Sequence, residues 1–137
     1  MTYAGDISPT DTFAALRADP EAVLVDVRTA AEWAYVGVPD VSRIGKEVIL
    51  VEWVSYPGSA RNDSFVDDLR EAGIADGQPI YFLCRSGVRS KHAAQEATAA
   101  GLGPAYNVSD GFEGQLDATH HRGVGGWKTS GLPWRQG

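Results

Sequence analysis

Short apolar runs and helical periodicities take turns along this chain. Val23-Leu24-Val25-Asp26-Val27 is almost wholly apolar, the pattern of a strand covered on both faces. Val48 to Val51 predicts a second apolar strand, and Pro79-Ile80-Tyr81-Phe82-Leu83 a third, buried one. Ala105-Tyr106-Asn107-Val108 predicts a last short strand. Helical signals fall between them. Ser8-Pro9 reads as an N-cap and first helical residue, and Phe13, Leu16 and Arg17 carry a helix to about Asp19-Pro20. Thr29 to Tyr35 predicts a short helix in which Glu32 follows the Thr29 cap by three residues, the spacing of a capping box. Asn62 or Ser64 opens a third helix through Phe65, Val66 and Leu69, ended by Gly73. The Ala-, Gln- and Glu-rich stretch from Gly87 through Ala100 predicts the last, stopped by Gly101. Strands alternating with helices indicate an α/β fold with a mainly parallel sheet. Gln115 to Gly126 reads as loop, after which Trp127, Leu132 and Trp134 are expected to dock back on the body.

Length and composition narrow the setting. A chain of 137 residues suits one domain with one core. Its net charge of -6 argues against nonspecific binding to nucleic acid or an anionic membrane. No apolar run reaches the roughly 20 residues of a membrane span. The N-terminal Met1-Thr2-Tyr3-Ala4-Gly5-Asp6 has neither the basic start nor the apolar region of a signal peptide. The single cysteine has no partner for an internal disulfide, and no Cys/His set has zinc spacing. These features predict a cytoplasmic protein with a free thiol and neither metal nor cofactor.

That thiol, Cys84, opens the segment Cys84-Arg85-Ser86-Gly87-Val88-Arg89-Ser90, between a buried strand and a helix. The loop leaving the C-terminal end of a parallel strand is where ligands bind. The helix beginning there aims unpaired N–H groups and the positive end of its dipole at the sulfur. Arg85, Arg89 and Lys91 add positive charge, and Gly87 can take φ > 0 so that the backbone approaches an anion closely. Helix end and cations together favour thiolate, the nucleophilic form. Alone, a cysteine ending an apolar strand is usually a small buried hydrophobe. The conjunction of Cys, Gly and two Arg at one strand-to-helix turn points instead to a functional loop.

Cys84 through Ser90 resembles the active-site loop of the rhodanese (sulfurtransferase) family. Val25-Asp26-Val27-Arg28 with Glu32-Trp33 is similar to that family's Asp-x-Arg and Glu-aromatic signature, and Gly126-Trp127…Gly131-Leu132-Pro133 to its C-terminal signature. The matches run from about Asp6 to Trp134. The resemblance implies a single rhodanese-like domain over residues 1–137, with a parallel sheet of about five strands flanked by helices on both faces. It implies that Cys84 takes the outer sulfur of a thiosulfate-like anionic donor, becomes a persulfide, and passes sulfur to cyanide or a thiol, including a protein thiol. An alternative is a persulfide carrier or interaction module that works with a protein partner and turns over small molecules poorly. In the enzyme reading Arg85 and Arg89 hold the donor and stabilise the leaving anion.

A cysteine-dependent phosphatase needs five residues between its cysteine and arginine. Here Arg89 follows Cys84 after only four, and Ser90 occupies the required place. Asp26, Arg28 and Glu32 are expected to support the site, the first two through a partly buried ion pair or loop hydrogen bonds and Glu32 as a cap. Ser90 either donates to the sulfur or caps the helix. Two departures from the family pattern stand out. Val36-Gly37-Val38-Pro39-Asp40 replaces a stretch that carries a histidine in many members, and residues 115–126 form an apparent insertion. Because outgoing loops of parallel strands share one side, the insertion's His120, His121 and Arg122 are expected at the rim of the site, with Trp53 to Arg61 emerging nearby.

Overall fold

Alternate residues of the apolar runs part to opposite faces of one sheet. Val25, Val27, Ile80, Phe82 and Cys84 enter one core cluster, and Leu24, Tyr81, Leu83 and Val108 the other. The computed structural model describes residues 3–55, 60–114 and 126–136. Along the chain run β1 (Gly5–Ile7), α1 (Pro9–Ala18), β2 (Val23–Asp26), α2 (Ala30–Val36), β3 (Val38–Pro39), a single 3-10 turn at Ser42–Ile44, β4 (Ile49–Leu50), β5 (Val54–Ser55) and β6 (Ala60–Arg61). Then come α3 (Phe65–Glu71), β7 (Ile80–Leu83), α4 (Val88–Ala99), β8 (Ala105–Val108) and β9 (Trp134–Arg135). The main sheet has the order β1-β8-β7-β2-β4, and every pairing in it is parallel. Phe65 and Leu69 of α3 and Ala93, Ala94 and Ala97 of α4 cover one face. Leu16 of α1 and Val36 of α2 cover the other, joined by Phe112 and Trp127.

The α/β architecture, five parallel strands and two helical layers agree with the sequence reading. Local signals also held where a side chain could satisfy backbone groups. Ser8 caps α1 by accepting from Asp11 N, and the Thr29–Glu32 capping box of α2 is present in both directions. The second apolar run is shorter and more exposed than its composition suggests. It contributes only Ile49–Leu50 at the sheet edge, where Leu50 is 43% exposed. Ser64 occupies the cap position of α3 without a side-chain bond there. Three pairings went unforeseen: β1 with β8, β3 with β9 and β5 with β6. Each involves at least one strand of only two or three residues, too short to carry a periodic pattern.

The docking of the C-terminal segment is as expected. Trp127 is fully buried, its indole N–H donates to the Pro133 carbonyl at 2.6 Å, and its ring meets Phe13 edge-on at 5.9 Å. Trp134 closes against Gly37, whose absent Cβ would lie 2.9 Å from the ring.

Candidate active site

β7 and β2 are adjacent and parallel, so both end at the same edge of the sheet and deliver Cys84 beside the segment Asp26 to Arg28. The Val27 N–H donates to the Leu83 carbonyl at 2.8 Å and stitches these two ends together. After Cys84 the chain turns through Arg85, Ser86 and Gly87 into α4. Gly87 has φ 107°, in the region that L side chains rarely adopt. A Cβ there would lie 2.2 Å from the Ser109 carbonyl oxygen, so the turn also needs glycine for space. The loop after β8 closes the other side. Phe112 N–H donates to the Cys84 carbonyl at 2.8 Å, and Glu113 N–H to the Arg85 carbonyl at 2.9 Å. Gly87→Ala is therefore expected to cost about 2–4 kcal/mol, from φ strain plus backbone displacement, and to scatter the sulfur's surroundings. Denaturant unfolding and Cys84 reactivity would check both parts. A variant as stable and as reactive as the wild type would contradict this reading of the turn.

The Cys84 sulfur points into this turn. Gly87 N–H donates to Sγ at 3.1 Å, and Ser90 Oγ lies 3.2 Å away. Cys84 is nonetheless only 1% exposed and packs within the α3/α4 core cluster. The sulfur thus faces the Gly87 N–H while being almost wholly buried.

The arginines behave differently from expectation. Arg89 Nη1 and Nη2 reach Glu32 Oε1 and Oε2 at 2.7 and 3.0 Å, a bidentate, partly buried pair. Arg85 Nε lies 3.3 Å from Glu113 Oε2 on a half-exposed face. Neither loop arginine stands open to an anion, because each already has a carboxylate. Burial works against the Arg89 charge, but the Glu32 bonds and charge outweigh it, with lesser pulls from the Cys84 sulfur when ionised and from Asp26, so its pKa is raised. Burial likewise pushes the Glu32 carboxyl up, but the Arg89 and Thr29 bonds and the Arg89 and Arg28 charges hold it below its ordinary value. Glu32 therefore does two jobs where the sequence showed one, capping α2 and clamping Arg89.

That depression sets a sign for acid stability. A carboxyl with a lowered folded pKa contributes stability in full above its unfolded value and loses it as pH falls through the folded one. The stability difference between wild type and Glu32→Gln should be constant near neutrality and shrink in acid below the ordinary glutamate range. Urea titrations of both proteins across that range would check it. A difference that grows on acidification would contradict the clamp.

Asp26 and Arg28 form a fully buried pair rather than a partly buried one. Arg28 Nε lies 3.0 and 3.1 Å from the two Asp26 oxygens, and Nη2 lies 2.6 Å from Oδ2. Arg28 Nη2 also donates to the Gly37 carbonyl at 2.6 Å, and the guanidinium lies 4.3 Å over the Phe112 ring. The pair thus ties the end of β2 to α2's C-terminus and to the loop beside Cys84. Val88 is exposed at the start of α4, and His92 is exposed on the same helix. His120, His121 and Arg122 lie outside the described residues. Among the described residues no group of three or more His, Cys, Asp or Glu could hold a metal ion. No helix among them is long and apolar enough to cross a membrane.

A cavity of about 610 Å³ opens beside the Glu32–Arg89 pair, walled by Ala31, Tyr35, Val36 and Val54 and polar at Thr29. Val54 brings the segment after β4 to this side, in keeping with the topological expectation. A separate cavity of about 490 Å³ between Trp33, β4 and α3 contains no residue of the Cys84 loop. Sequence reasoning missed Glu113, Asn107 and Asp6. Asn107 was the findable one, a polar residue inside an apolar strand.

The profile of the STR4 middle domain matches residues 4–137. The chain belongs to that family, and its fold is rhodanese-like. This rhodanese-like chain is 55% identical to Rv0390 from M. tuberculosis, whose crystal structure it matches with a TM-score of 0.90 over 99% of its own length and 100% of the other. It is 39% identical to the uncharacterized protein RC0915 of Rickettsia conorii over 95% of this chain and 96% of that one. It is 28% identical to the chloroplastic thylakoid rhodanese-like protein of Oryza sativa, covering 95% of this chain but 25% of the plant protein. The polysulfide-sulfur transferase homodimer of Wolinella succinogenes shares the fold at a TM-score of 0.65 and 24% identity, over 96% of this chain and 78% of that one.

Proposed function

We propose that this protein transfers sulfane sulfur through a persulfide on Cys84. The observation that carries the reading is the Cys84 sulfur aimed at the Gly87 N–H inside a turn that glycine alone can form. In the first step the Cys84 thiolate attacks the outer sulfur of a thiosulfate-like donor. The donor's S–S bond breaks, sulfite leaves with the bonding pair, and Cys84–S–S⁻ remains. In the second step cyanide or a thiolate attacks the terminal sulfur. Thiocyanate or a new persulfide departs, and Cys84 regains the electron pair as thiolate. Gly87 N–H is placed to stabilise negative charge on sulfur in both steps.

A donor anion must compete with Glu32 for Arg89 or with Glu113 for Arg85. The Arg85 pair is longer and half exposed, so Arg85 is the cation that a small donor meets first. The burial of Cys84 favours a second reading as well, a persulfide carrier whose loop opens to a protein thiol and turns over small molecules slowly.

Intact-mass measurement after incubation with thiosulfate tests the shared step. A gain of about 32 Da, removed by a thiol reductant, is expected. No adduct from thiosulfate or from an inorganic polysulfide would overturn both readings. Fast thiocyanate formation from the loaded protein supports the enzyme reading, and slow formation with rapid loss to a thiol supports the carrier.

A further inference from the structure

The Cys84 sulfur lies at the inner end of a hydrogen-bonded chain that begins at the sheet edge. Tyr3 Oη donates to Asp6 Oδ1 at 2.7 Å, and Asn107 Nδ2 donates to the same oxygen at 3.0 Å. Ser90 Oγ donates to Asn107 Oδ1 at 2.5 Å and lies 3.2 Å from Cys84 Sγ. Proton counting gives this chain a direction. The hydrogen bonds from Tyr3 and Asn107, with help from the Lys91 charge, keep the Asp6 carboxyl ionised and below its usual range despite slight burial. An ionised carboxylate only accepts. The Asn107 amide must then turn its NH₂ to Asp6 and its carbonyl to Ser90. A serine hydroxyl has one proton, and here Asn107 takes it. What Ser90 offers Cys84 is an oxygen lone pair.

We infer that Asn107, oriented by Asp6, is a positioning residue that makes Ser90 an acceptor toward Cys84, so that the resting sulfur is held as a thiol and ionises when the Ser90 hydroxyl turns from Asn107 to Sγ. Gly87 N–H is the opposing bond, since it favours the thiolate. This departs from a loop that simply holds an ionised sulfur. Among the described residues, the charges on the elements that meet at Cys84 do not override the chain, because they come in pairs. Asp26 on β2 is matched by Arg28, Glu32 on α2 by Arg89 on α4, and Glu113 in the loop after β8 by Arg85. Lys91 on α4 acts on Asp6.

Reversal of the chain shows why Asp6 matters. With Ser90 donating to sulfur, its oxygen calls for a donor from Asn107, and a flipped amide would turn its carbonyl toward Asp6. Two acceptors would then face each other. An asparagine at position 6 removes that conflict, since its NH₂ can donate to the flipped carbonyl. Asp6 is exposed at the edge strand β1, so the substitution leaves the core untouched.

The bearing of this switch on turnover rests on the persulfide reading, whereas its test does not. Thiolate absorbance in the ultraviolet is followed against pH for wild type, Asp6→Asn, Ser90→Ala and the double variant. Because the chain has one cysteine, Cys84→Ser serves as the blank. Asp6→Asn should move the profile to lower pH and raise the thiolate fraction at neutrality about tenfold, the scale of one hydrogen bond to a charged group. In the Ser90→Ala background that shift should vanish. An unmoved profile in Asp6→Asn would overturn the inference. So would a shift that survives in the double variant, which would mark a through-space charge effect. A protein that titrates as expected yet gains no sulfur from a donor would refute the proposed function and leave the switch standing.

Discussion

Cys84→Ser is expected to lower sulfur transfer by about 10³-fold or more and to abolish the mass adduct. The replacement keeps the shape of the side chain but removes the chemistry. A serine hydroxyl is scarcely ionised near neutrality and cannot form the sulfur–sulfur bond on which transfer depends. The hydroxyl can still accept from Gly87 N–H and meet Ser90 Oγ, as the sulfur does now. Stability should accordingly change by about 1 kcal/mol or less. Comparing transfer rates, intact mass and denaturant midpoints for the two proteins separates loss of the nucleophile from loss of the fold. Adduct formation or transfer that persists in the serine variant would remove Cys84 from the reaction.

The strand-to-helix turn at Cys84 was readable because each feature is local. An apolar run ends, a glycine must take positive φ, and helix-forming residues follow. The parallel sheet was readable for the same reason, since β2 and β7 are apolar on both faces. What sequence could not supply is who answers the charges. Arg85 and Arg89 count as two cations in any linear reading. Their partners, Glu113 and Glu32, reach them only through the meeting of the β8 loop with the Cys84 turn and the approach of α2 to α4. Glu32 was assigned correctly as a cap because that bond spans three residues, whereas its bond to Arg89 spans fifty-seven. Asp6 and Asn107 are 101 residues apart and meet only because β1 adds to the sheet beside β8. Local bonds are written in spacing, and long-range ones in topology.

The buried Asp26–Arg28 pair carries the second large expectation. Both side chains are fully buried, and Arg28 Nη1 finds no hydrogen-bond partner among the described residues. Bringing two such charges out of water is costly, and their mutual attraction roughly offsets that cost only while both are present. Arg28→Met should therefore destabilise the protein by about 3–5 kcal/mol, because it leaves the Asp26 carboxylate buried without the guanidinium that binds it. Replacing both, as Asp26→Leu with Arg28→Met, should recover most of that loss, since an apolar pair of similar volume carries no desolvation cost. Urea unfolding would show a lowered midpoint for the single variant at an unchanged slope, and a midpoint near that of the wild type for the double. Sulfur transfer should remain impaired in both. Without the guanidinium, the Gly37 carbonyl and the Phe112 ring lose the group that ties β2 to the loop beside Cys84. A single variant within about 1 kcal/mol of wild type would show that Asp26 does not need its partner. A double variant with restored stability and full activity would show that the pair serves the fold alone.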